Sequence, residues 1–263
     1  MLKIDQARVT FNAGTPSEVV ALRDVSLNVD AGDFVTVIGA NGAGKSTLFN
    51  IVAGSIGLDL GRVVLDGENI TGWAEHRRSN EIGRVFQNPS LGTCPGLTIY
   101  ENLSLANLRG KRRTLRPGLK REERGQFREL LTSFEMGLED RLDTDVAMLS
   151  GGQRQAVTLL MATVTQPKLL LLDEHTAALD PNAAAQIIDL TVRLAEEFSL
   201  TVIMITHSMQ QACTTGNRIV MMNRGAIIDE IDGVEGGNVT ADDLVSRFRA
   251  LKSGSLSDRT LLS

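Results

Sequence analysis

Gly39-Ala40-Asn41-Gly42-Ala43-Gly44-Lys45-Ser46-Thr47 is the stretch on which the fold turns. It follows a short β-rich run, Phe34 to Ile38, and opens a segment from Ser46 to Ala53 that reads as a helix. A strand, a glycine-rich turn and a helix in that order match the pattern GxxxxGK[ST], whose physical purpose is to gather phosphate oxygens. The glycines let backbone N–H groups converge on an anion, and the helix contributes its positive end. Lys45 neutralises phosphate charge, and the Ser46 hydroxyl can ligate Mg²⁺. Gly39, Asn41, Gly42, Gly44, Lys45, Ser46 and Thr47 are therefore the candidate nucleotide-binding residues. A glycine-rich turn that merely precedes a lysine is the competing reading, and the flanking strand and helix count against it.

Downstream, Leu169-Leu-Leu-Leu-Asp173-Glu174 is an apolar run that ends abruptly in two carboxylates. Its length and continuous hydrophobicity are those of a strand buried on both faces of a parallel sheet. Ligands bind at the carboxyl ends of such strands, so both acids are candidates for the nucleotide crevice. Asp173 suits Mg²⁺ through a coordinated water, because this ion keeps several waters in such sites, and Glu174 suits the polarisation of an attacking water. A second buried run, Thr201 to Ile205, is joined to the first by a helical segment from Ala183 to Phe198, as a βαβ crossover requires.

Leu2 to Phe11 and Val19 to Val29 alternate apolar and polar residues around the turn residues Gly14-Thr15-Pro16-Ser17, which predicts an antiparallel opening sheet. Residues 88–166 lack a comparable buried-strand run and carry helical patterns, so they read as a helical insertion. The expected fold class is α/β: a phosphate-loop core with a mixed, mainly parallel sheet, an antiparallel N-terminal β subdomain and that insertion. One domain is expected over 1–230, with a short helix (Ala241 to Lys252) and tail filling 231–263.

Bulk composition narrows the partners. Of 263 residues 42% are hydrophobic and 4% aromatic, which favours a core of Leu, Ile, Val, Met and Ala. A net charge of −5 argues against a general nucleic-acid binder. Cys94 and Cys213 have no disulfide or zinc spacing, which suits a reducing cytosol. The opening MLKIDQARVTF lacks the apolar run and cleavage site of an export signal. The apolar stretches fall far short of the roughly 20 residues that cross a bilayer. Membrane work would then belong to another chain.

Leu149-Ser150-Gly151-Gly152-Gln153, shortly before the carboxylate strand, resembles the signature of the ATP-binding-cassette (ABC) ATPases. Gln87 in Val-Phe-Gln-Asn, Ala178-Leu179-Asp180 and His207 follow the same family order, and the resemblance covers roughly residues 2 to 230. It implies that two copies close head to tail on two ATP molecules, the phosphate loop of one facing Ser150, Gly151, Gly152 and Gln153 of the other. It further implies that Gln87 senses the γ-phosphate or Mg²⁺, that His207 holds the γ-phosphate and attacking water, and that Asp180 reaches the partner's site. Phe11 stands where the family places an aromatic against adenine, and an ordinary strand residue packed in the core is the lesser alternative.

His175-Thr-Ala-Ala after Glu174, and a helix after Gln153 that is not arginine-rich, depart from the commonest family wording. Together they resemble a bacterial subgroup of ABC import ATPases assigned to aromatic amino acids such as tryptophan and tyrosine. The resemblance implies permease subunits, an extracytoplasmic substrate-binding protein and a place on the cytoplasmic face of the cell membrane. An export or lipid-handling ATPase shares the same chemistry, and a soluble ABC protein acting on DNA or ribosomes is a further alternative. The basic stretch from Arg109 to Arg124 reads as a solvated face or as a contact with lipid headgroups or the membrane subunit.

Overall fold

In the computed structural model, which describes residues 1–111, 121–234 and 238–260, the elements begin with β1 (Leu2–Phe11), β2 (Val19–Val29), β3 (Phe34–Gly39), α1 (Lys45–Ala53), β4 (Leu60–Leu65), β5 (Glu68–Asn69), α2 (Glu75–Arg78) and β6 (Ile82–Val85). They continue with α3 (Ile99–Asn107), α4 (Arg121–Thr132), α5 (Gly151–Thr163), β7 (Leu169–Asp173), α6 (Pro181–Glu197), β8 (Thr201–Ile205), α7 (Met209–Thr215), β9 (Arg218–Asn223), β10 (Ala226–Asp232) and α8 (Ala241–Thr260). Two compact units result: Met1–Gly72 with the chain from Ile203 onward, and Trp73–Val202.

The first unit carries the expected antiparallel sheet, in the order β2-β1-β4-β5. Leu2, Ile4, Ala7 and Val9 of β1 are buried, and the alternation skips one residue between Ile4 and Ala7. Gln6 there takes a left-handed φ of 48°, and the pairing with β2 shifts register at the same place. This is a bulge that keeps the apolar side chains on one face. The unit's other strands run β10-β9-β3 and then the last three residues of β8, Ile203 to Ile205, with β3 parallel to β9 and β9 antiparallel to β10. Arg224 and Gly225 join β9 to β10 with φ of 48° and 83°, the twist that two-residue hairpins favour. Ile38, Ile219 and Met221 pack with Ala212 of α7 and Leu244 of α8, which cover one side of these strands.

In the second unit β6 lies parallel to β7, and Leu169 to Leu172 are wholly buried, as continuous hydrophobicity predicts. Ile187, Leu190, Thr191 and Leu194 form the buried stripe of α6 at helical spacing. This helix starts at Pro181, two residues before the apolar pattern alone suggests. The Asp180 carboxylate accepts from the N–H groups of Asn182 (3.1 Å) and Ala183 (3.0 Å), and Pro181 needs no N–H partner at the first position. Over 88–166 the described residues form α3, α4, α5 and two short 3₁₀ turns and no named strand. Among the described residues no helix is long and apolar enough to cross a membrane.

Candidate functional site

The phosphate loop belongs to the first unit. At the start of α1, Gly44 has φ 103°, no side chain caps the helix, and no acidic residue stands in its first turn. Its leading N–H groups and positive end therefore lack a counter-charge from this helix, the condition under which a helix terminus takes an anion. Lys45 is buried, and its Nζ donates to the carbonyls of Gly39 (2.9 Å) and Ala40 (3.2 Å), so the ammonium folds over its own loop. Asn41, Gly42 and Ser46 are exposed, and Thr47 is half-buried.

The loop is clasped from behind. Gly225 N–H donates to Ala43 O (2.9 Å), and Arg23 N–H donates to Gly225 O (2.7 Å), tying the loop to the β9–β10 turn and to β2. A Cβ on Gly39 would stand 2.3 Å from Met222 O, and one on Gly44 2.7 Å from Ala21 O. Gly44→Ala combines that collision with a left-handed backbone, and is expected to destabilise the chain by about 2 kcal/mol or more. Urea unfolding checks this, and an unchanged midpoint would mean that the clasp yields without strain.

His207 lies in the same unit, exposed just beyond β8, the neighbour of β3. Thr206 N–H donates to Val37 O (3.3 Å), and Thr206 Oγ1 donates to Gln211 Oε1 (2.7 Å). Ser208 caps α7 by accepting from Gln211 N–H at 3.2 Å. His207 is thus carried on a segment fixed on both sides. Phe11, at the end of β1, is 38% exposed, which removes the reading of a packed core residue.

The second unit brings the acids and Gln87 to one end of a parallel pair. Val85 registers against Leu172, so Gln87 and Asp173 leave their strands at the same edge. Arg84 on β6 reaches Asp173 at 3.5 Å, both side chains being mostly buried, and its guanidinium lies 4.7 Å from the Phe86 ring. Gln87 is exposed, and Glu174 is half-buried with a left-handed φ of 46°.

The serine and glutamine of the signature build a capping box. Ser150 Oγ accepts from Gln153 N–H and Gln153 Oε1 accepts from Ser150 N–H, each at 3.3 Å. Arg141 donates to the same Oε1 (3.1 Å) and Gln153 Nε2 donates to Met136 O (3.2 Å), so Gln153 is held in place. Gly152 has a packing reason as well as a binding one, since a Cβ there would lie 3.1 Å from Ala183 Cβ on α6. As at α1, the first turn of α5 carries no acid. Asp180 is exposed, with Oδ1 engaged in the α6 cap.

Three features escaped the sequence reading: Arg84 beside Asp173, the Arg224-Gly225 clasp, and the environment of His175. The imidazole of His175 is buried, its Nε2 is 3.2 Å from Thr191 Oγ1, and burial pushes its pKa down to about 4. A cation three residues before Gln87 was the available signal for Arg84. The basic stretch divides. Arg109 donates to Met161 O (3.0 Å), and Arg124 forms a two-bond pair with Asp143 while lying 5.3 Å from the Tyr100 ring. Arg112, Arg113, Arg116 and Lys120 lie outside the described residues.

Comparison with known proteins gives one answer. The ABC transporter family model matches residues 22–177. The chain is 41% identical over 235 residues to a tyrosine transport ATP-binding protein of Clostridioides difficile, covering 89% of this chain and 92% of that one. It is 34% identical over 232 residues, 87% of its length, to a methionine import ATP-binding protein of Staphylococcus aureus, of which it spans 65%. Among solved structures, the dimeric post-hydrolysis state of the ATP-binding cassette MJ0796 bound to ADP and Pi superposes with a TM-score of 0.75 at 31% identity, over 90% of this chain and all of that one. With its phosphate loop, its carboxylate strand and its signature helix, the chain belongs to the ABC transporter family and is an ATP-binding, ATP-hydrolysing subunit.

Proposed function

We propose that the chain energises import of an amino acid through separate permease subunits at the cytoplasmic face of the cell membrane, two copies closing on two ATP molecules. The observation that carries this reading is the 41% identity, over nearly the full length of both chains, to a tyrosine transport ATP-binding protein. A substrate-binding protein outside the membrane would deliver the cargo, and nucleic acid has no part. In this reading 1–230 is the ATPase domain, the helices of 88–166 relay closure to the permease, and 231–263 is an accessory helix and tail.

Each site residue then has a task. Gly39, Asn41, Gly42, Gly44, Lys45, Ser46 and Thr47 hold the phosphates, and Phe11 stacks on the adenine. Ser150, Gly151, Gly152 and Gln153 supply a helix N-terminus to the partner's γ-phosphate, where developing charge is stabilised, and Asp180 approaches the partner's site. Glu174 polarises the attacking water, and His207 and Gln87 hold water and γ-phosphate in line.

The donor set fits Mg²⁺. Each unit carries hard oxygens, Ser46 in the first and Gln87 and Asp173 in the second, where Asp173 already attracts a cation in Arg84. When bound, the ion would neutralise charge on the β- and γ-phosphates.

Affinity purification of the chain from membranes, followed by ATPase assay of the assembled complex, tests the proposal. The expected result is a polytopic membrane partner and ATP turnover that rises several-fold with tyrosine or another aromatic amino acid in the presence of the binding protein. Co-sedimentation with ribosomes and no membrane partner would overturn it.

A further inference from the structure

We infer that His175 is a positioning residue for ATP hydrolysis: its Nε2–H, donated to Thr191 Oγ1 on α6, anchors the turn that presents Glu174. The inference rests on the reading of Glu174 as the group that polarises water.

The turn needs an anchor. Glu174 leaves β7 with φ 46°, a left-handed conformation that a residue with a Cβ keeps only where its surroundings enforce it. One bond closes the turn locally, from Ala177 N–H to Glu174 O at 2.9 Å, and a second follows from Leu179 N–H to Thr176 O at 3.2 Å. Neither reaches outside the turn. His175 does: it is 2% exposed, and its ring meets Thr191, itself wholly buried, sixteen positions on along the chain. At the other end of the turn Asp180 caps the same helix. Glu174 is therefore held between a strand and a helix by the residue that follows it.

The direction of the bond follows from a count of hydrogens. Thr191 Oγ1 has one, and gives it to Ile187 O at 2.6 Å. At 3.2 Å from Nε2 it can then only accept, so the proton of the neutral imidazole resides on Nε2 and Nδ1 is bare. Catalytic groups need placement within about 0.5 Å, so a loosened turn is read in turnover before it is read in binding. The phosphate loop has holding contacts of its own, Lys45 Nζ to Gly39 O and Ala40 O and Gly225 N–H to Ala43 O.

The test uses His175→Ala, Thr191→Val and the double variant in the full-length chain, with kcat and nucleotide affinity measured separately. Each single variant is expected to lose about tenfold in kcat with ATP affinity unchanged within twofold, and the double variant to be no worse than the poorer single one, because both remove one interaction. His175→Gln, whose amide N–H₂ occupies the place of Nε2, should restore most of the rate, whereas His175→Asn, which mimics Nδ1, should not. The ¹⁵N spectrum of the wild-type imidazole should show a protonated Nε2. If His175→Ala fails to fold, Thr191→Val and His175→Gln decide the matter alone. Wild-type kcat in Thr191→Val, strict additivity, or equal activity of the Gln and Asn variants would overturn the inference. Rapid turnover by Glu174→Gln would instead overturn the reading on which it rests.

Discussion

Glu174→Gln is expected to lower kcat by roughly 10²- to 10⁴-fold, the range that a general base contributes, while ATP still binds. The amide keeps the length and shape of the side chain, so the half-buried site and its left-handed turn are undisturbed. What is lost is the carboxylate oxygen that can draw a proton from water. On the proposed reading, a chain that binds ATP and cannot consume it should accumulate as a closed dimer, because only hydrolysis would remove the γ-phosphate that each signature helix is proposed to meet on the partner. Size-exclusion chromatography with ATP and Mg²⁺ reads the dimer, and phosphate release reads the rate. Hydrolysis within threefold of wild type would transfer the catalytic role to another group, of which His207 is the first to try.

The sequence was most legible where one physical signal acted alone. β1, β2 and β8 have the bounds that their patterns predict, since alternation or unbroken hydrophobicity fixes which faces are buried. It was least legible where two signals overlapped. Ile82–Val85 is a four-residue strand that contains Gly83 and Arg84, so it shows neither alternation nor an apolar run. Its glycine is there because a Cβ would stand 2.5 Å from Ala162 O. The hairpin of β9 and β10 went unread because Arg224 occupies a turn position where Asn or Asp is the usual mark of a left-handed residue. The start of α6 was misplaced because the capping Asp180 and Pro181 are polar or small, and an apolar pattern begins only after them.

The same division runs through the candidate site. Residues read from a contiguous motif, from Gly39 to Thr47 and from Ser150 to Gln153, are contiguous because one helix terminus needs them all. The contacts that hold those motifs come from far along the chain: Gly225 behind the phosphate loop, Thr191 beneath His175, Ala183 against Gly152. Only folding brings such pairs together, so no window of sequence contains both members. Asp180 shows a further limit, because an acid before a helix is a sufficient account of the cap and leaves any role toward a partner unsignalled.

Lys45→Ala is expected to raise the dissociation constant for ATP by about 10- to 100-fold, the equivalent of one or two charge-assisted hydrogen bonds to phosphate. The structure adds a second consequence. Nζ also serves Gly39 O and Ala40 O, so truncation strips both carbonyls of a donor, and the chain without nucleotide should lose about 1 kcal/mol of stability. The two effects separate by measurement: calorimetric titration with ATP reads the first, and urea unfolding without nucleotide reads the second. Lys45→Gln discriminates further, because its amide can donate to the loop carbonyls and carries no charge. It should recover part of the stability and little of the affinity. Binding of ATP by Lys45→Ala within twofold of wild type would show that backbone N–H groups and the α1 terminus hold the phosphates unaided. The buried lysine would then be a strut of the loop alone.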